Sequence, residues 1–425
     1  MQKEKIKLGY IGLGRRGSFI LDRCFAEMTD VEIVAICDLK EDRLKKSCAD
    51  VEKKGRPAPL LFTDYHEMLK IKEMDAVVIM TAWNSRIQCA IDCMDAGKQT
   101  AIEVGCAYSM EECQALLDAY KRTGIHAMML ENCCYGRREM MALRMAREGL
   151  LGEIVFCTGA YHHYLNKVEL FKEDENGKVD TEHYRLAEYA YRNCEQYPTH
   201  ALGPIAKLLN INRGNRMVSL SAFSTKACGL KQYMKDHVPA DHPFYNADFR
   251  QGDIVTTVIT CAGGEQIRLT LDTTLPRAFY SREFSVRGTL GMCEESGKNH
   301  CTFYLEGMEE CFDNETDFYE KYDHPLRAEY ATMENKGGHG GLDWLVMRAF
   351  VESVKDGVTP PIDIYDTLTW LAIGPLSEAS LARGGAPVEF PDFTNGKWFR
   401  RESPNDGKYS LDVITNLPEI PIIPE

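Results

Sequence analysis

No stretch of this 425-residue chain approaches the ~20 consecutive apolar residues that a membrane span requires, and residues 1–7 are charged, with no apolar signal region. Neither a membrane partner nor export is expected, and the chain reads as a cytoplasmic protein. Positive charge is also short: 50 Lys and Arg against 64 Asp and Glu leave a net charge of −14. That balance argues against nucleic acid or an anionic membrane as a general partner. Paired C-x-x-C clusters are missing although there are 16 cysteines, so no zinc framework is predicted. Several of those cysteines (Cys37, Cys113, Cys157, Cys261) stand at apolar positions, where a free thiol behaves as a small hydrophobe. Internal repeats and low-complexity segments are absent as well. What remains is an ordinary globular composition, 44% hydrophobic and 27% charged, at a length that suits two domains.

The clearest positive signal lies between Leu8 and Asp38. A strand ending at Ile11 runs into Gly12-Leu13-Gly14-Arg15-Arg16-Gly17, then a helix, then a second strand, Val31 to Cys37, closing on Asp38. The turn is G-x-G-x-x-G. Gly12 permits the tight turn, Gly14 lets backbone approach a pyrophosphate, and Gly17 lets helix pack on strand. Unpaired N–H groups and the positive dipole end of the helix face the phosphates. Asp38 stands where a carboxylate accepts hydrogen bonds from an adenosine ribose and repels a 2′-phosphate, which favours NAD over NADP. Arg15, Arg16 and Lys40 lie nearby and temper that preference.

Strands then alternate with helices through residue 131: Asp75 to Thr81, Gln99 to Val104 and His126 to Glu131 are strands, and Ser85 to Ala96 and Ser109 to Thr123 are helices. This order specifies a doubly wound parallel sheet, a Rossmann domain over residues 1–133. Ligands bind beyond the carboxyl ends of such strands, which singles out Thr81 to Asn84, Glu103-Val104 and Glu131-Asn132. From residue 134 the pattern changes. Strand-like runs at Met217 to Phe223, Ile254 to Cys261, Gln266 to Asp272 and Phe284 to Arg287 predict an α+β domain with a mostly antiparallel open sheet, over 134–385. Two helices, Gly341 to Lys355 and Ile364 to Leu381, close it and are free to pack back on the first domain. The proline-rich tail, 386–425, reads as a surface extension. Open antiparallel sheets often pair across an exposed face, so a homo-oligomer is expected.

The second domain holds the densest chemistry. Tyr161-His162-His163-Tyr164 follows a strand, Tyr197-Pro198-Thr199-His200 opens a helix, and Tyr280 sits in Pro276 to Arg282. Tyrosine and histidine are proton-transfer residues. Tyr197 and His200, three apart, share one helical face. Each of these residues has a plainer reading. Tyrosines near strand ends are usually core or rim aromatics. His162-His163 is a strand pair with one ring inward, or else a metal site; no third ligand is spaced to join them, so no metal is assigned. His339, in Gly337-Gly338-His339-Gly340-Gly341-Leu342-Asp343, serves at least a tight turn.

Together these segments resemble the Gfo/Idh/MocA oxidoreductase superfamily, and within it the NAD-dependent α-N-acetylgalactosaminidases of glycoside hydrolase family 109. The resemblance rests on Gly12 to Gly17, Glu103-Val104, Met129 to Asn132 with Tyr135-Gly136-Arg137, Tyr197 to His200 with Gly203-Pro204, Asn210 to Gly214, and Gly337 to Asp343. It implies that Gly12, Gly14, Arg15, Arg16, Gly17, Asp38, Trp83, Asn84, Arg86, Glu103, Val104 and Asn132 hold NAD. It implies that Tyr161, Tyr197, Pro198, Thr199, His200 and Tyr280 line a sugar site, with Tyr197, His200, Tyr161 and His163 catalytic. Three positions depart from the family pattern: Gly105 stands for a proline, Trp83-Asn84-Ser85-Arg86 for Trp-Glu-Trp-His, and Ala201 for a glycine. The Glu-Lys-Pro of the superfamily's sugar dehydrogenases is Glu103-Val104-Gly105 here, so their lysine is missing and hydroxyl deprotonation falls to Tyr197 with His200. The expected function is hydrolysis of a glycoside by transient oxidation at sugar C3, C2 deprotonation, elimination, water addition and re-reduction. The alternatives are an NAD-dependent sugar, inositol or glycoside 3-dehydrogenase, which accumulates NADH, and a non-enzymatic NAD-sensing scaffold.

Overall fold

A computed structural model describes residues 3–414, apart from 174–176, 182, 334–336 and 402–404. Six parallel strands form the first sheet: β1 (Ile6–Ile11), β2 (Val31–Cys37), β3 (Leu60–Phe62), β4 (Ala76–Ile79), β5 (Gln99–Ile102) and β6 (Ala127–Met129), in the order β3-β2-β1-β4-β5-β6. The order reverses beside β1, so a crevice opens at the carboxyl ends of β1 and β4. Runs such as Ala76 to Ile79 are wholly buried, as a parallel strand covered on both faces demands.

The second sheet has eight strands: β7 (Ile154–His162), β8 (Met217–Ser224), β9 (Ile254–Cys261), β10 (Gln266–Asp272), β11 (Ser285–Gly288), β12 (Gly291–Gly297), β13 (His300–Leu305) and β14 (Val388–Glu389). Their order is β13-β12-β11-β7-β10-β9-β8-β14, antiparallel throughout except where β7 and β10 run parallel. The two-sheet architecture is the expected one. Strands β12 and β13 were not anticipated, because Glu294, Glu295 and Ser296 break the apolar alternation that marks a strand. One face of this sheet carries helices. The close packing of helix Thr199–Leu208 on β7 needs Gly159, where a Cβ would lie 2.9 Å from the Cβ of Ala201. On the other face Phe223 is half exposed.

Late segments lock the two sheets together. Helix Leu342–Asp356 sends Arg348 and Lys355 to Asp30, at 2.7 and 2.8 Å. The Thr367 hydroxyl donates to the carbonyl of Ala127 (2.8 Å) and accepts the N–H of Met129 (3.1 Å), so it seals the free edge of β6. The helix expected over Ile364 to Leu381 is two, Ile364–Leu371 and Ile373–Ala382. Pro375 has no N–H for the Leu371 carbonyl one turn back, and that carbonyl instead accepts the N–H of Ala107 at 3.0 Å. Gly374 beside the break admits Cys106, whose Cβ would lie 2.7 Å from an added Cβ. The tail departs from the surface run expected of it. Its described part adds β14 to the sheet and buries Phe390 and Leu411. Asp412 joins Lys207 (3.1 Å) and Arg213 (3.0 Å) in a buried ion network.

Candidate active site

The crevice beside β1 is built to take a phosphate. Gly14 caps helix Arg15–Arg23 without a side-chain hydrogen bond, and the first turn carries no acidic residue, so its N–H groups are open to an anion. Gly12 has φ +96°, and a Cβ there would lie 2.7 Å from the Met80 carbonyl carbon; over Gly14 the space is open save for Arg43. Asp38 accepts the N–H of Leu13 (2.6 Å) and of Lys40 (2.9 Å), which fixes its carboxylate at the end of β2. These features fit a dinucleotide.

Arg15 and Arg16 turn elsewhere. Arg15 donates to the Val168 carbonyl (3.0 Å), and Arg16 makes a two-pronged pair with Asp343 at 2.9 and 2.6 Å. Asp343 also accepts from Asn132 (2.7 Å) and meets His339 Nδ1 (2.9 Å), so one buried carboxylate joins the first helix, the end of β6 and the glycine-rich knot. Burial opposes its charge, but Arg16 and His339 hold its pKa well below the usual carboxylate range.

Trp83, Arg86, Glu103 and Val104 form one loop cluster. Arg86 is buried and donates to the carbonyls of Val104 and Thr81, the latter at 2.6 Å. Gly105 has φ +151°, and a Cβ on it would lie 2.5 Å from the Trp83 indole nitrogen. A proline ring, which holds φ near −65°, cannot take that backbone. The indole N–H of Trp83 and Glu103 Oε2 are buried without a partner among the described residues and border the crevice. Asn84, on the first turn of helix Trp83–Asp95, is exposed.

Four of the residues singled out in the second domain converge where β7 ends against helix Thr199–Leu208. Ring centroids of Tyr161 and Tyr197 are 4.4 Å apart, those of Tyr197 and His200 5.0 Å, and those of Tyr161 and His200 5.7 Å. The Tyr161 hydroxyl lies 3.0 Å from His163 Nδ1, and Tyr280 stands at the rim, 5.1 Å from the His163 ring. Because β7 alternates, His162 falls on the opposite face and takes no part. Pro198 precedes the helix and Thr199, its first residue, is buried. Pro204 lies inside the helix, past the first turn, and offers no N–H to the His200 carbonyl.

His200 is held from behind. Its Nδ1 lies 2.8 and 3.0 Å from the oxygens of Glu131, a fully buried carboxylate at the end of β6. Gly203 permits this approach, since a Cβ would lie 2.8 Å from Glu131 Cγ. Burial works against an imidazolium, but Cys133 and Glu131 outweigh it and raise the pKa of His200 to about 10. Burial pushes Tyr161 up to about 12, with Arg185 pulling the other way. Burial, assisted by Arg185, lowers His163 to about 4, so its ring is neutral near pH 7.

Sequence reasoning passed over Arg185. Its guanidinium lies 4.8 Å from the Tyr197 ring centroid and 5.4 Å from that of Trp83, which links the loop cluster to the tyrosines. Nothing in its helix, Tyr184–Tyr191, distinguishes it in the sequence. The partnership of Glu131 with His200 and the meeting of Arg16 and Asn132 at Asp343 were equally hidden, because each joins residues 69 or more apart.

A dinucleotide crevice facing a pocket of tyrosines and histidines defines an NAD-dependent enzyme of the two-sheet oxidoreductase type. Residues 6–130 match the oxidoreductase family with an NAD-binding Rossmann fold, and residues 135–400 match the C-terminal domain of glycosyl hydrolase 109. An alpha-N-acetylgalactosaminidase of Tannerella forsythia is 38% identical over 416 residues, covering 93% of this chain and 88% of that one. A glycosyl hydrolase family 109 protein of Stenotrophomonas maltophilia is 39% identical over 427 residues, 95% of this chain and 93% of the relative. The chain belongs to glycosyl hydrolase family 109, and it is an NAD-dependent glycoside hydrolase. Among solved structures, an NAD-binding oxidoreductase from Klebsiella pneumoniae has a TM-score of 0.70 at 18% identity, over 92% of this chain and all (100%) of that one. A levoglucosan dehydrogenase complexed with NADH and L-sorbose has a TM-score of 0.67 at 17% identity, with the same 92% and 100% coverage. At those identities the likeness is one of fold.

Proposed function

We propose that this enzyme cleaves α-N-acetylgalactosaminides or closely related glycosides by passing through a ketone at sugar C3. The observation that carries the reading is the adjacency of two proton-transfer pairs, Glu131–His200 and Tyr161–His163, in one pocket. NAD, when bound, supplies the hydride acceptor and donor at C3. Its holders are the glycine turn, Asp38, the loop cluster of Trp83, Arg86, Glu103 and Val104, and Asn132.

His200, backed by Glu131 and flanked by Tyr197, takes the C3 hydroxyl proton in its neutral form, the minor one below pH 10, and keeps it until the ketone is reduced. Tyr161 removes the proton from C2, made acidic by the neighbouring ketone, and hands its own hydroxyl proton to neutral His163. The C2 electron pair then expels the C1 substituent. Water adds at C1 and the C2 proton returns along the same route. Arg185 holds the tyrosines in place and opposes their burial. No pair of carboxylates flanking the glycosidic oxygen is required.

A domain division at residue 133 is supported by the passage from the first sheet to the second between β6 and β7, whereas β14, past residue 385, belongs to the second sheet. A cytoplasmic setting is supported by the sixteen free cysteines, and a homo-oligomer by the exposed face of the second sheet. A glycoside deuterated at C2 tests the mechanism: deuterium washes out into ordinary water during hydrolysis. Full retention overturns the reading, and net accumulation of NADH replaces it with the dehydrogenase.

A further inference from the structure

One side chain in this pocket raises the pKa of His200 but carries no proton in the relay. Cys133 is 4% exposed, and its Sγ lies 3.5 Å from Asn132 Oδ1. Its backbone N–H donates to Glu131 Oε1 at 2.9 Å, which folds the turn Asn132–Tyr135 back on the carboxylate that caps it. The thiol is thereby carried to the imidazole: one donor atom each from Glu131, Cys133 and His200 lie within 4.8 Å of one another.

We propose that these three residues form a binding site for a borderline-soft divalent metal ion, zinc above all. Carboxylate, thiolate and imidazole are the donors that zinc takes, at about 2.0–2.3 Å. Tetrahedral geometry at those lengths sets donors about 3.3–3.8 Å apart, so closure asks the side chains to move by roughly an ångström. Glu131 and Cys133 are already tied together in one capped turn, and helix Thr199–Leu208 fixes the third donor. Three protein donors leave a fourth position for water or a sugar hydroxyl. On binding, the Cys133 S–H and His200 Nδ1–H bonds break, both protons leave to solvent, and S–Zn and N–Zn bonds form, with no change in oxidation state. Arg282 lies against Cys133 and opposes a second cation there, and Glu139, 2.6 Å from Arg282, offsets that charge.

The metal does not take part in the reaction described above. It occupies the group assigned to the C3 hydroxyl proton, so zinc inhibits; this consequence rests on that assignment, whereas the site does not. The experiment uses the full chain, loaded with NAD, reduced and freed of metal, and titrated with cobalt(II) as a spectroscopic stand-in. A near-ultraviolet thiolate-to-cobalt band that saturates at one equivalent and is displaced by zinc is expected. In Cys133→Val the band disappears, and the zinc concentration that halves each protein's own metal-free rate rises at least 10-fold. His200→Ala, checked for folding by its thermal melt, loses the band as well. No band in the unaltered protein overturns the site. So does a band that persists in Cys133→Val, which places the metal at another thiol such as exposed Cys228. A band that Cys133→Val abolishes while zinc leaves the rate untouched upholds the site and overturns the role given to His200.

Discussion

Glu195 is a carboxyl group in the wrong environment for a charge. It is 1% exposed; Oε1 accepts the N–H of Tyr197 at 3.2 Å, and Oε2 has no partner among the described residues. Burial raises its pKa from 4.5 to about 8, against the pull of the Tyr197 N–H. The folded chain therefore keeps a proton at pH 7 that the unfolded chain has released. For a raised acid, stability is greatest below 4.5 and falls as pH climbs toward the folded value. At ~1.4 kcal/mol per pH unit, the loss between pH 4.5 and pH 7 is about 3 kcal/mol. Glu195→Gln reproduces the shape of the neutral acid, keeps an oxygen for the Tyr197 N–H and cannot ionise. Urea midpoints measured from pH 4.5 to 8 should coincide at the acid end and diverge upward, with the variant more stable by about 3 kcal/mol at pH 7. Parallel curves, separated equally at every pH, would show that Glu195 does not titrate in this range and would refute the reasoning.

Gly105→Ala forces a Cβ against the Trp83 indole in a backbone that favours glycine, and NAD affinity measured by quenching of tryptophan fluorescence should fall 10-fold or more. Asp343→Asn leaves Arg16 with Glu103, 3.8 Å away, in place of its two-pronged ion pair. The thermal midpoint should drop in proportion to about 2 kcal/mol, less than a fully buried charge costs because Arg16 is 32% exposed, and NAD binding should weaken with it. Tyr161→Phe removes one proton carrier, so kcat should fall at least ~100-fold with KM changed little, read from initial rates on a nitrophenyl glycoside. Asp30, held by Arg348 and Lys355 at a pKa of about 2 against the opposing effect of burial, contributes stability above its ordinary 3.8 that is lost as pH falls toward 2. Asp30→Asn should therefore be less stable near neutrality, by about 2 kcal/mol, and the gap in urea midpoints should close in acid.

Local rules made much of this molecule legible. Glycine spacing, buried apolar runs and the carboxylate after β2 mark the first sheet and its crevice, because each depends on neighbours within about forty residues. Tyr161, Tyr197 and His200 were found from residue type and position at element ends. What stayed hidden depends on distant pairing. Nothing near His200 announces Glu131, nothing near Arg16 announces Asp343, and Arg185 sits in a helix like any other. The helix break between Leu371 and Ile373 required knowing that Ala107 could satisfy the carbonyl that Pro375 strands. Gly105 was read as a departure from a family proline, and its φ of +151° gives that departure a geometric cause.

The hydroxyl of Thr367 has a bearing on any attempt to dissect the enzyme. A fragment stopped after residue 133 would present an unguarded row of amides and carbonyls along its last strand, a template for stacking one fragment on the next. The nucleotide-holding half is thus completed by a piece of chain made some 240 residues later. Soluble halves are to be sought by coexpression, with the late helices supplied in trans, rather than by truncation.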